Sequence, residues 1–129
     1  MAAGAKRGRR IVILCEGRTE ELAIRFFILK QWARDGLSSV GLDHVNLRGH
    51  LDKVAPYARN YLDDPEVLAV FTLVDLYGMT NVTDPQNDDL EARVRRVQTW
   101  LHDPLREHKR TKFFVPHVSV HEVEAWILA

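Results

Sequence analysis

Apolar residues in this chain gather into three short strand-like runs, the first of them unbroken, separated by longer amphipathic stretches. Ile11 to Leu14 occupy successive rather than alternate positions, which predicts a strand buried on both faces. The run stops at Glu16-Gly17, and a helix-like segment follows at once. Thr19 is placed as its N-cap, with Glu20 and Glu21 in the first turn against the helix dipole. Leu22, Phe26, Leu29 and Ala33 recur at helical spacing and predict a face packed on the sheet to about Arg34. Gly36 and Ser38-Ser39 break the helix. His44 to Arg48 alternates apolar and polar positions, as a strand nearer the sheet edge does, and Gly49 ends it. Asp52 to Tyr61 reads as a helix with Val54, Ala58 and Tyr61 on one side, and Pro56 falls early, where the first turn tolerates it.

Asp63-Asp64-Pro65 is a turn leading into the second buried strand, Val67 to Val74, which ends in Asp75. Leu76 to Asp88 is a polar loop of a length at which lids and binding segments are common. A helix runs from Asp88 or Asp89 to Trp100 or beyond, with Leu90, Val94, Val97 and Leu101 as its core stripe. Lys112 to Val120 is the last strand, ending in His121-Glu122, and a helix starts from Glu122. The β-α-β-α-β-α-β-α order predicts an α/β fold, a mostly parallel four-stranded sheet with right-handed crossovers and flanking helices. Val123, Trp126, Ile127 and Leu128 end the chain on an apolar note. They predict either a domain incomplete at its C-terminus or a surface that finishes against another chain, a homodimer being the simplest closed assembly.

Length bounds the molecule to a single domain, 1–129, with 1–9 as a basic flexible arm. Formal net charge is zero, so no global field points to nucleic acid or membrane. The charge is unevenly placed. Lys6, Arg7, Arg9 and Arg10 form one basic segment, and Arg93, Arg95, Arg96, Arg106, Lys109, Arg110 and Lys112 a second. Beside an acidic cleft such surfaces suit a phosphate-bearing substrate; a solvated helix face and a loose tail explain them equally well. The single Cys15 excludes an internal disulfide and a thiolate zinc cluster, and its place in the apolar strand predicts a buried small hydrophobe. With no signal-peptide pattern and no apolar run of membrane-spanning length, a cytoplasmic protein with no membrane partner is expected.

The candidate chemistry sits where strands end. Glu16, Asp75, and Glu122 with Glu124 each follow a buried strand, the position at which open α/β sheets gather ligands. Carboxylate oxygens suit a hard divalent cation, so a metal site shared by Glu16, Asp75 and one of Glu122 or Glu124 is the leading expectation. Each has a plainer alternative: a helix-capping acid at Glu16, an Asx-turn at Asp75, first-turn acids at Glu122 and Glu124. Gly17 leaves room for a substrate beside a tight turn. Arg18 and Thr19 are placed to bind phosphate at the helix N-terminus, although a cap explains Thr19 as well. Tyr77 either stacks on a base or packs. His117 and His121 share a strand face and could assist at the metal. His121-Glu122 begins like a zinc-protease helix, but Ala125 stands where the second His is required, and no phosphate-binding glycine loop or nucleophile elbow is present.

At these residues the chain resembles the Toprim-like domain, the metal-binding α/β module of topoisomerases, bacterial primases and overcoming-lysogenization-defect (OLD) nucleases. The pattern is a strand running into Glu-Gly, here Val12-Ile-Leu-Cys-Glu16-Gly17, and a later hydrophobic strand ending in an Asp-containing motif. Glu16-Gly-x-Thr-Glu20, Asp75-Leu-Tyr-Gly78 and His121-Glu-x-Glu-Ala125 together resemble an uncharacterised bacterial Toprim-like family, often encoded beside ATPases in phage-defence and restriction-type loci. Its members continue past the last helix. The usual Toprim motif is Asp-x-Asp; Tyr77 stands at the second position, so the resemblance requires Glu122 or Glu124 to supply the missing ligand.

The resemblance implies Mg²⁺- or Mn²⁺-dependent phosphoryl transfer, most directly a nuclease acting on DNA or RNA as an effector in phage defence. Glu16, Asp75, Glu122 and Glu124 would then be the catalytic and metal-binding set, with Gly17, Arg18, Thr19, Tyr77 and His121 at the substrate. Two other readings stay open at this stage: a non-catalytic Toprim-like subunit docked on a partner ATPase, and a nucleotide-binding regulator using the same cleft.

Overall fold

A computed structural model describes residues 8–79, 82–83 and 89–120. His121 to Ala129 lie outside the described residues, and with them the expected final helix and its apolar end. The architecture is α/β and Rossmann-like. Its central sheet has the order β2-β1-β3-β4, with β5 also on β3, and every pairing is parallel. The strands are β1 (Arg10–Cys15), β2 (Gly41–Asn46), β3 (Val67–Asp75), β4 (Phe114–Val115) and β5 (Val118–Ser119).

The strands form where apolar side chains are available to both faces. Val12 and Leu14 of β1 join Val70 and Val74 of β3 on one face, under Val54, Ala58 and Leu62 of α3 (Val54–Leu62) and Val97 and Leu101 of α4 (Leu90–His102). Ile13, Cys15 and Leu73 point to the other face and meet Ile24, with Ile28 and Leu29 beside it. Helices thus cover both faces of the sheet. Among the described residues no helix is long and apolar enough to cross a membrane.

Five local expectations are revised. The first helix starts at Arg18 with Gly17 as its N-cap and no side-chain cap, so Thr19 lies inside α1 (Arg18–Ala23) rather than capping it. A π turn (Ile24–Ile28) then separates α1 from α2 (Leu29–Arg34). This rotates the buried face: Ile24 is 0% exposed, whereas Phe26, expected in the core, is 51% exposed. Leu90 also leaves the core stripe of α4 and is exposed, because it opens the helix beside the Asp89 cap, whose carboxylate accepts from Ala92 N at 2.7 Å. The second strand occupies Gly41–Asn46, earlier than expected, and the chain turns away at Arg48-Gly49, both with left-handed φ. Finally, the expected Lys112–Val120 strand is split into β4 and β5 around Pro116-His117, since Pro has no N–H for the ladder. Side chains bridge the gap, with Thr72 Oγ1 donating to His117 O (3.0 Å) and Gln98 Nε2 to Pro116 O (3.2 Å).

Candidate functional site

The connections from β1 to β2 and from β2 to β3 run in opposite directions across the sheet, so β1 and β3 flank the switch point of the topology. At such a point the loops leaving the carboxyl ends of the two strands diverge and open a crevice. Glu16 follows β1, and Asp75 ends β3. Glu16 N donates to Leu73 O at 3.1 Å, which extends the ladder by one bond. Its side chain then reaches across, and Oε1 accepts from Asp75 N at 3.0 Å. One carboxylate oxygen is therefore committed between strands, and α1 has no side-chain cap, so the helix-capping alternative for Glu16 does not hold.

Asp75 fulfils its plainer role with one oxygen. Oδ1 accepts from Tyr77 N at 3.0 Å and caps a 3₁₀ turn, Leu76–Gly78. Neither Glu16 Oε2 nor Asp75 Oδ2 accepts a hydrogen bond from the described residues. Tyr77 does not pack; it is 52% exposed. Asp75 stands opposite Ser119 of β5, so the chain leaves the sheet at this same edge. His121, Glu122 and Glu124 lie outside the described residues. His117 is exposed in the break between β4 and β5, so strand alternation no longer places it on one face with His121.

Two half-open carboxylates at neighbouring strand ends are a hard-oxygen donor set. They fit Mg²⁺, which is commonly held by one or two carboxylates while waters and substrate phosphates fill the remaining positions. Among the described residues there is no group of three or more acids, His or Cys able to enclose a metal by itself. Cys15 adds no chemistry. Burial, then Glu21 and Glu20, push its thiol up to about 12, and Sγ donates to Val45 O at 3.4 Å. Glu20, a first-turn acid by its position in the sequence, is only 8% exposed. Its carboxylate lies 3.9 Å from the space a Cβ at Gly17 would take. Gly17 itself has an extended φ of −159°, so no left-handed conformation demands glycine there, and a Cβ would meet Glu20 at ordinary contact distance.

Sequence pattern does not single out the β2 end, and its loop lies on the other side of β1, against Glu16. Leu47 N donates to Cys15 O (2.9 Å) and Gly49 N to Glu16 O (2.6 Å), so the loop after β2 is laid against the backbone of the acid. Arg48 has φ 53°, unusual for a residue with a Cβ, and Asn46 Oδ1 holds the turn by accepting from Arg48 N at 2.8 Å. Gly17, Arg18, Glu21, Asn46 and Arg48 line a depression there. Strand alternation carries no trace of this, because the signal is a left-handed Arg-Gly pair in a loop.

A family model described as a domain of unknown function (DUF4276) matches residues 15–129. No curated protein and no solved structure matches the chain. The matched span opens one residue before Glu16 and takes in Asp75 and the exit from β5. Since it covers nearly the whole length, the chain belongs to the DUF4276 family.

Proposed function

We propose that the protein is a metal-dependent phosphoryl-transfer enzyme, a Toprim-type nuclease acting on DNA or RNA. Mg²⁺ or Mn²⁺ would be held by Glu16 and Asp75, with Glu122 or Glu124 completing the set. The observation that carries this reading is the Glu16 Oε1 to Asp75 N hydrogen bond of 3.0 Å, which holds the Glu16 carboxylate against the backbone of the second acid at the switch point. Bound metal would polarise a phosphodiester and offset charge on the leaving oxygen. Asp75, with Oδ1 fixed on Tyr77 N, offers its second oxygen as the ligand. Glu16, with Oε1 fixed on Asp75 N, offers Oε2 either as a ligand or as the group that takes a proton from water or returns one to the leaving oxygen. Arg18 and Gly17 line the depression a phosphate would occupy. Service as a phage-defence effector beside a partner ATPase belongs to the same proposal and rests on the motif resemblance.

The test is cleavage of DNA and tRNA by the full chain, with and without its neighbouring ATPase, in Mg²⁺ or Mn²⁺. Glu16→Gln and Asp75→Asn keep side-chain volume while removing charge, so each should lower cleavage by about 100-fold or more with the fold intact by circular dichroism. Full activity in both variants would place the chemistry elsewhere. Tyr77, exposed at the position of the usual second acid, favours a second reading: a non-catalytic module docked on an ATPase. A wild type that cleaves neither substrate with either metal, yet binds that ATPase, would establish the second reading instead.

A further inference from the structure

A second surface adjoins Glu16, on the side of β1 away from Asp75, and its chemistry differs from that of a metal site. The depression lined by Arg18, Asn46 and Arg48 runs into another lined by Asn46, Arg48, His50, Lys53 and Tyr57; Asn46 and Arg48 belong to both. Arg18, Arg48 and Lys53 are exposed, and none makes an ion pair among the described residues. Glu21, the acid in the first depression, faces His44 Nε2 at 3.4 Å. At the far end Tyr57, on α3, is 41% exposed. Cations without an ion pair among the described residues, bordering two depressions that share Asn46 and Arg48 and include an open aromatic ring, are what a flexible phosphodiester strand needs: charge for its phosphates and a flat face for an unstacked base.

The geometry points to a single-stranded nucleic-acid path that starts beside Glu16, passes over the loop after β2 and ends on Tyr57. We propose that Arg18 and Arg48 hold successive backbone phosphates, that Lys53 adds charge along the track, and that Tyr57 stacks a base. This rests on the phosphoryl-transfer reading and narrows it to single strands, because a base inside a duplex cannot present its face to Tyr57. The loop is suited to the task. Arg48 N is held by Asn46 Oδ1 and Gly49 N by Glu16 O, so the guanidinium is carried by a backbone fixed to the acid itself.

Fluorescence anisotropy without divalent metal tests the path apart from catalysis. The probes are labelled oligothymidylate, labelled oligouridylate and a duplex of equal length, titrated with the full chain across a salt series. Arg48→Asn keeps a residue that tolerates left-handed φ, and with Arg18→Ala it should weaken both single strands and lower the salt slope by about one phosphate each. Tyr57→Ala should weaken single strands by about 5- to 150-fold with the salt slope unchanged, while Tyr57→Phe restores affinity. Whether thymidylate or uridylate binds more tightly identifies the source of the strand. Wild-type affinity in Arg48→Asn and Tyr57→Ala, or equal loss on duplex and single strands in Tyr57→Ala, overturns the path. Those results leave the cleavage phenotype of Glu16→Gln untouched. Conversely, intact single-strand binding with no cleavage in any metal overturns the nuclease reading and keeps the path.

Discussion

Glu16 and Asp75 each commit one oxygen to a backbone N–H and so are held in place without any cation. A carboxylate fixed in this way loses little freedom when a ligand binds, which is how a site is made ready in advance. Cys15, next to Glu16, shows the opposite use of burial. Its thiol rises from 9.0 to about 12, so between those pH values the folded chain keeps a proton that the unfolded chain has lost. Stability therefore falls as pH rises above about 9, by roughly 1 kcal/mol per unit at first. Urea unfolding at pH 8 and pH 10 should show a smaller loss in Cys15→Ala than in the wild type. Iodoacetamide at pH 8 should label the native protein far more slowly than the urea-unfolded one. Rapid labelling of the native thiol would contradict its burial. At this scale the strand-end acids and the inert Cys were legible, since each sits against an apolar run. Glu20 was not, because a first-turn acid reads the same whether its helix end faces water or a closed edge.

Helical periodicity assumes 3.6 residues per turn throughout, and the first helix breaks that assumption. Its π turn, Ile24–Ile28, inserts extra backbone, so the stripe Leu22, Phe26, Leu29 and Ala33 no longer shares one face. Ile24 takes the buried position instead and packs with Ile13, Cys15 and Leu73. Phe26 turns outward, with Lys30 Nζ 5.8 Å from its ring centroid. Ile24→Ala should then lower the unfolding free energy by about 2–5 kcal/mol, the cost of a large-to-small change in a core. Phe26→Ala should stay within about 0.5 kcal/mol, as an exposed substitution does. Denaturant midpoints at equal slope measure both, and a larger loss at Phe26 would restore the regular-helix stripe. The last strand carries a similar lesson. Pro116 signals a break, yet the run around it is apolar enough to read as continuous until the Thr72 and Gln98 bonds that span it are known.

For the molecule as a whole, alternating apolar runs and amphipathic segments were sufficient to read an α/β order and a parallel sheet. The strand order, and with it the neighbouring of Glu16 and Asp75, needed the structure. One residue of the second basic segment explains how distant parts of the chain are tied at the opposite edge of the sheet. Arg110 Nη1 donates to Leu62 O (2.6 Å) and Asp64 O (2.7 Å), and Nη2 to Val67 O (2.7 Å). Its guanidinium also lies 5.1 Å from the Phe113 ring centroid. These carbonyls end α3, turn the chain and begin β3, so one planar fork satisfies acceptors that a helix end leaves open. Its neighbour Arg106, among the described residues, forms only an exposed pair with Asp103 at 3.3 Å. Charge alone would make the two equivalent; geometry does not. Arg110→Lys places a compact ammonium where a fork spanned three acceptors, and should lower the unfolding free energy by about 2–4 kcal/mol, since bonds to charged donors contribute about 1.5–3 kcal/mol each and a Lys recovers some of them. Arg106→Lys should change it by less than about 0.5 kcal/mol. Urea unfolding of the two variants side by side decides the matter: equal midpoints would mean that Arg110, like Arg106, is a solvated surface charge and that the turn into β3 holds without it.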